Sequence, residues 1–107
     1  DGDTALMYAA GNGHERAVEL LLQRGADIDL QDSKGRAALM YAAGTGNERM
    51  VELLLQHGAG VNLQSNSHGG TALFGAAHNG GTALMAAADK GHERVAELLI
   101  RHGAEIN

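Results

Sequence analysis

Two stretches of this chain repeat one another at a spacing of 33 residues. Residues 2–13 read GDTALMYAAGNG, and residues 35–46 read GRAALMYAAGTG. The segment after each copy repeats as well, because AVELLLQ at 17–23 returns as MVELLLQ at 50–56. Self-similarity at a fixed period of this size is typical of architectures in which short units stack in single file. We expect such a chain to build an extended surface that binds other molecules.

Each unit reads as two short helices joined by a tight turn. Apolar residues at helical spacing predict a first helix over about 4–12 and a second over about 14–24. Thr4 stands at the N-cap of the first helix, where its hydroxyl can accept a hydrogen bond from an exposed backbone amide. Gly13 and Gly25 stand at the helix ends, where a left-handed conformation suits glycine. The polar stretch that follows the second helix predicts an extended turn.

These motifs resemble the ankyrin repeat, and the resemblance extends over essentially all 107 residues. It implies an all-α ankyrin-repeat solenoid of stacked antiparallel helix pairs, with hairpin-like turns that project from them. It also implies a non-catalytic module that binds a partner protein through its concave face. The matching residues include Gly13-His14, Gly91-His92, Gly25-Ala26-Asp27 and Gly103-Ala104.

The chain departs from the family pattern at the start of the first helix. The family's Thr-Pro-Leu-His becomes Thr-Ala-Leu-Met, so that Met7 and Met40 stand where a hydrogen-bonded His is usual. We expect apolar methionine packing there instead. Ala37 also lacks the capping hydroxyl, which costs about 1 kcal/mol. On the second helix, arginine and glutamate recur three residues apart, as in Arg49 and Glu52, and predict weak ion pairs within the helix.

The 33-residue period breaks in the last third of the chain. The motif appears at 70–80 and starts again at 81–91, so Leu84 follows Leu73 by 11 residues instead of 33. About 22 residues, an outer helix and a turn, are therefore missing from the third unit. We interpret the chain as one domain over 1–107 with units at about 1–34, 35–68, a partial 69–80 and 81–107.

Three interpretations of this break remain open. The natural chain carries a further stretch at this point, and its mass then exceeds the 11.1 kDa of the 107 residues. Alternatively, a true deletion leaves a fractured array whose last unit docks on a neighbouring chain by domain swapping. In the third interpretation the glycine-rich junction bends, and 82–90 serves as an improvised outer helix.

Both ends of the array look like interior units, with apolar residues where a capping repeat is polar. Together with the missing initiator Met, this favours either a segment of a longer array or a chain that self-associates through its uncapped ends or by domain swapping.

Composition narrows the class of partner. The net charge is −5 with eight scattered basic residues, so we expect no nucleic-acid partner. No apolar stretch approaches the roughly 18 residues that span a bilayer, so we expect no membrane partner. The chain has no cysteine, which excludes disulfides and thiolate metal sites. We expect an intracellular, cytoplasmic protein.

Residues that could bind a metal or take part in catalysis are better explained as structural residues. His14 and His92 each precede a glutamate, but no second histidine follows at the spacing of a zinc-protease helix. Asp27, Asp29 and Asp32 partly match a calcium loop, but they lack the glycine that turns its chain. We interpret them as turn residues, and we expect no catalysis, cofactor or metal.

The ankyrin resemblance places partner binding on the turn tips and on the exposed side of the first helix. Tyr8 and Tyr41 occupy the same slot in adjacent units, so we expect them to lie side by side, either as binding hot spots or as packing between repeats. The candidate contacts are Asp3, Tyr8, Asn12, Arg24, Ser33, Lys34, Arg36, Tyr41, Thr45, His57, His78, Asn79, Asp89, Lys90 and His102.

A second functional interpretation stays open. The chain could be an engineered or model repeat protein with an altered array and no natural partner. The absence of cysteine and proline favours that interpretation, whereas the imperfect repeats oppose it. A regulatory segment of an enzyme or channel is a further alternative, because folds of this kind are widely reused.

Overall fold

The computed structural model describes residues 4–61, 63 and 92–103, and these residues form five helices. Neighbouring helices in the chain pack in pairs, α1 with α2 and α3 with α4. Between the pairs, α1 packs against α3, and α4 packs against α5. The predicted all-α solenoid of stacked helix pairs is confirmed. The helices are α1 Ala5–Gly11, α2 Glu15–Gln23, α3 Ala38–Thr45, α4 Glu48–Gln56 and α5 Glu93–Arg101.

The helix ends follow the local signals of the sequence. Thr4 caps α1, because its hydroxyl accepts the backbone amide of Met7 at 3.1 Å. Ala37 precedes α3 without a side-chain cap, as predicted. Asn47 caps α4 by accepting a backbone amide at 3.1 Å. Gly13, after α1, has a φ of 78°, which is the left-handed conformation that glycine adopts most readily.

Small side chains bring the two inner helices, α1 and α3, close together. Alanine occupies the middle of both helices, and its small side chain leaves little volume between them. Met7 and Met40 are buried as well, as the sequence predicts. The buried alanines are Ala9, Ala10, Ala42 and Ala43.

The outer helices differ in burial although their sequences are similar. In α4, Leu54 is fully buried, whereas its counterpart Leu21 in α2 is only half-buried. Leu55 of α4 is 9% exposed, whereas its counterpart Ile100 in α5 is 48% exposed. The helix α4 packs against both α3 and α5, and its apolar residues are covered more fully than those of α2 or α5.

The start of α5 lies against the loop between α3 and α4. The Nε2–H of His92 donates to the carbonyl oxygen of Gly44 at 3.1 Å. A Cβ built on Gly46 would lie 2.7 Å from the His92 ring, and one built on Gly13 would lie 3.2 Å from Nδ2 of Asn47. His92 therefore contacts the second unit at the place where Asn47 contacts the first.

Ion pairs between the outer helices repeat the same register. Arg49 of α4 lies 3.4 Å from Glu15 of α2, and Arg94 of α5 lies 3.8 Å from Glu48 of α4. In the described part of the chain, the ion pairs on these helices join neighbouring helices rather than residues three apart in one helix. The sequence predicts an ion pair between Arg49 and Glu52, but Arg49 pairs with Glu15 of the preceding unit instead. Stacking of the units places Glu15 beside this arginine. The ion pair between α4 and α5 is therefore equivalent in position to the ion pair between α2 and α4.

The break in the period, with the segment 82–90, lies outside the described residues, so the three interpretations of it remain open. The longest described helices have nine residues. No helix of the described part is long and apolar enough to cross a membrane.

Two glycine substitutions test the stacking of α5 on the second unit. Gly46 and Gly58 have φ angles of 76° and 90°, so alanine is strained at both by about 1 kcal/mol. At Gly58 a Cβ meets nothing within 4 Å, whereas at Gly46 it meets the His92 ring. We expect Gly46→Ala to lower the free energy of unfolding by about 1–2 kcal/mol more than Gly58→Ala in urea titrations.

His92→Ala supplies the control for this comparison. In that background the two glycine substitutions should cost nearly the same, because the ring that meets the new methyl group is gone. Equal costs in the unmodified chain would contradict the placement of His92 on this loop.

Candidate binding surface

A buried carboxylate organises the turn that connects α2 to α3. The side chain of Asp32 is 1% exposed. It accepts the backbone amides of Lys34 and Arg36, both at 2.9 Å. It also accepts the Nε of Arg36 at 3.2 Å and the hydroxyl of Tyr41. One carboxylate therefore closes the turn on itself and fastens it to α3.

The environment of Asp32 changes its acidity. Burial by itself raises the pKa of this carboxyl, but the hydrogen bonds from Tyr41 and from the amides of Arg36 and Lys34 lower it. The charge of Arg36 acts in the same direction, and the pKa ends below the ordinary value of 3.8. The charged form of Asp32 is thus favoured by folding.

Tyr41 belongs to this network and to the packing between units. The guanidinium of Arg36 lies over its ring, 5.2 Å from the centroid, at cation–π distance. A Cβ built on Gly11 would lie 3.5 Å from the Cβ of Tyr41, so the tyrosine lies against α1. These contacts favour the packing interpretation for Tyr41.

Tyr8 occupies the same slot on α1 in a different environment. It is 71% exposed, which makes it the most exposed large apolar side chain of the described residues. The side-chain amide of Asn12 donates to the backbone carbonyl of Tyr8 at 2.8 Å, so this amide is engaged at the end of α1. The ring of Tyr8 is thus exposed, whereas Tyr41 braces the turn.

The other described candidates lie at helix ends and in the turn before α3. Asn12 follows α1, and Thr45 is the last residue of α3. The hydroxyl of Thr45 donates to a backbone carbonyl at 2.9 Å. The turn residues lie at the opposite end of α3, about 12 Å away along an eight-residue helix. The exposed candidates at the turn ends of the helices are Arg24, Ser33, Lys34, His57 and His102.

Five candidates lie outside the described residues, so their positions stay predictions. They are Asp3, His78, Asn79, Asp89 and Lys90.

Successive turns are linked by a contact that sequence reasoning missed. The backbone amide of Gly60 donates to Oδ1 of Asp29 at 2.9 Å, across 31 residues of chain. The amide of Asp29 in turn donates to Oδ1 of Asp27 at 3.0 Å. Both carboxylates serve the turn, as does that of Asp32. The sequence offers no local signal for the link, because its partners meet only when the units stack.

A family model described as ankyrin repeats in three copies matches residues 6–107. The chain belongs to the ankyrin repeat family. Ankyrin repeats are in general protein–protein interaction modules and typically non-catalytic. In the described part of the chain the outer helices are α2, α4 and α5, and their number agrees with the three ankyrin copies.

Curated relatives are similar to this ankyrin chain over one repeat. The Ankyrin repeat and KH domain-containing protein mask of Drosophila melanogaster is 58% identical over 33 residues. The Ankyrin repeat domain-containing protein 17 of Homo sapiens and that of Mus musculus are each 54% identical over 33 residues. The aligned stretch is 31% of this chain and 1% of each relative's length.

Asp32→Asn should destabilise the protein and make its free energy of unfolding depend less on pH in the acid range. A carboxyl whose pKa is lowered by folding adds stability above pH 3.8, and this contribution is lost as the pH falls through the folded-state pKa. We expect the substitution to lower the free energy of unfolding at pH 7 by about 2 kcal/mol, since it weakens several hydrogen bonds to a buried charge. Urea titrations at neutral and acid pH measure both effects.

Asp27→Asn is the matched control, because Asp27 is exposed. An equal loss from both substitutions would contradict the special role of the buried carboxylate.

Proposed function

We propose that this ankyrin repeat chain is a non-catalytic module that binds a partner protein through the concave face of its stack. That face comprises the exposed side of α1 and α3 and the turn before α3. The exposure of Tyr8, 71% on an inner helix, carries the proposal. Tyrosine is enriched among the residues that dominate binding energy, because a rigid ring supplies contact area at low entropic cost.

The ordered turn supports the same proposal. Ser33 and Lys34 are exposed, yet the backbone that carries them is held by the buried carboxylate of Asp32. A turn that is already in place loses little conformational freedom when a partner binds, and this preorganisation favours affinity.

The charges of the turn indicate the chemistry of the partner. Arg24 and Lys34 are exposed cations, whereas Asp27 and Asp29 direct carboxylate oxygens to backbone amides. A partner that places an apolar or aromatic group on Tyr8 and carboxylates near the turn fits this surface.

The rest of the proposal concerns the class of function. We infer a protein partner rather than a nucleic acid, because the net charge is −5. The chain acts without a cofactor, and its place is inside the cell, in the cytoplasm.

Tyr8→Ala should weaken the partner without unfolding the module. Proteins captured from a lysate by the unmodified chain and lost with Tyr8→Ala are the candidate partners. The affinity of a candidate, measured by calorimetry, should fall by more than about 1 kcal/mol with Tyr8→Ala. Thermal unfolding should change little, because most of the side chain is exposed.

Gln23→Ala, at an exposed position of α2, is the control on the outer side and should leave the affinity unchanged. Equal binding by all three proteins would overturn the concave-face proposal. If repeated experiments capture no protein, the result would favour the interpretation of the chain as an engineered or model repeat protein.

A further inference from the structure

The helix α1 is followed by an exposed asparagine that precedes a glycine, Asn12-Gly13. Thr45 holds the place of Asn12 in the second unit, and it is exposed as well, although α1 packs against the helix that Thr45 ends. The exposure of Asn12 therefore belongs to this place in the repeat, because it persists where a neighbouring unit is present.

An asparagine–glycine pair has a reaction of its own, and asparagine is among the thermolabile residues. The backbone nitrogen of Gly13 gives its proton to a base in the solvent and forms a bond to Cγ of Asn12. The bond between Cγ and Nδ2 then breaks, and ammonia leaves. Water opens the resulting five-membered imide at either carbonyl carbon, which yields aspartate or isoaspartate. Glycine favours the attack, because it has no Cβ to shield the nitrogen.

The folded conformation holds the reacting atoms apart. A five-membered ring requires Cβ of Asn12 and the nitrogen of Gly13 to be nearly eclipsed about the Cα–C bond of Asn12. The ψ angle of Asn12 is 4°, which places that nitrogen about a third of a turn away. The side-chain amide is held as well, since Nδ2 donates to the carbonyl of Tyr8 at 2.8 Å. The reaction therefore requires the backbone at Asn12 to rotate first.

Few hydrogen bonds oppose this rotation. The amide of Gly13 donates to the carbonyl of Ala10 at 3.4 Å, which is long, whereas the amide of His14 donates to that of Ala9 at 2.9 Å. Gly11 further weakens the last turn of α1, because glycine loses more backbone entropy on ordering than alanine does. Helix ends open at a lower free energy than the whole domain, so this turn can open while the stack stays folded.

We propose that Asn12 is a site of spontaneous deamidation, gated by opening of the last turn of α1, and that the conversion weakens the end of this helix. The product carries a carboxylate where the asparagine carried an amide. The carboxylate has no N–H to donate to the carbonyl of Tyr8. It also lies at the C-terminal end of α1, where the unpaired carbonyls carry partial negative charge and repel an anion.

Incubation of the folded chain in mildly alkaline buffer, followed by peptide mapping with mass spectrometry, tests the conversion. Asn79→Gln serves as the background, because it removes the asparagine–glycine pair at 79–80, which lies outside the described residues. We expect Asn12 to convert to aspartate and isoaspartate at least about fivefold more slowly than in concentrated urea, since the fold must open first. Conversion in urea but none in the folded chain would overturn the proposal.

Asn47 is the matched control within the same chain. Its Oδ1 accepts the amide of Met50 at 3.1 Å, and the residue that follows it, Glu48, has a Cβ that shields its nitrogen. We expect Asn47 to stay intact over the period in which Asn12 converts. Equal conversion of the two asparagines would contradict the part given to Gly13.

Two glycine substitutions separate opening of the last turn of α1 from unfolding of the whole domain. A Cβ at Gly11 lies 3.5 Å from the Cβ of Tyr41, an ordinary contact, so Gly11→Ala stabilises the turn and should slow the conversion about threefold. Gly58→Ala strains the end of α4, where φ is 90°, and its Cβ meets nothing within 4 Å. It should leave the rate unchanged. Faster conversion with Gly58→Ala would place the reaction in the unfolded domain and overturn the local gate.

Asn12→Asp tests the consequence for the helix. We expect it to lower the equilibrium constant for folding at neutral pH about threefold, as measured in urea titrations, because it adds a charge at the C-terminal end of α1. Asn12→Gln is the uncharged control and should cost less. An equal loss from both substitutions would contradict the proposed effect of the carboxylate.

Discussion

The helix α4 packs against both α3 and α5, and its apolar residues are covered as a result. A single helix pair of this size has too little surface to bury its own apolar face, so each pair depends on the next for its core. The contrast between Leu55, 9% exposed, and Ile100, 48% exposed, shows what one neighbour contributes. The ion pairs and the contact of His92 with the preceding loop lie along the same junctions. Stacking is therefore the constraint on which the other features depend.

Stacking also explains why two nearly identical motifs have different environments. Tyr8 and Tyr41 occupy the same slot, but only Tyr41 donates to a described buried carboxylate and lies against the preceding inner helix. Tyr8 is exposed instead, and it leaves an aromatic ring on the surface of α1. The environment of this tyrosine thus depends on the position of its repeat in the stack as much as on the residues of the repeat.

The junctions tolerate changes in the residue that makes the contact. Asn47 and His92 hold the same place against the preceding loop, although one is an amide and the other an imidazole. The shared requirement is a polar side chain that lies over a glycine with positive φ. Because His92 makes this contact, α5 begins against the second unit at the place where α4 begins against the first.

The sequence alone determined the features that depend on neighbours along the chain. The helix pairs, the cap at Thr4, the missing cap at Ala37 and the left-handed glycines all follow from local hydrogen bonding and backbone sterics, and all appear as predicted. The family pattern likewise placed the candidate surface on the turns and inner helices.

Only the tertiary structure decided which groups meet across units. It buried Asp32 beneath Tyr41, paired Arg49 with the preceding outer helix α2 instead of with Glu52, and joined successive turns through Asp29. These contacts join residues 9, 34 and 31 positions apart, respectively, so the spacing of residues along one helix or turn carries no signal for them. They depend on how closely each unit lies on the next, which packing sets and local propensity does not.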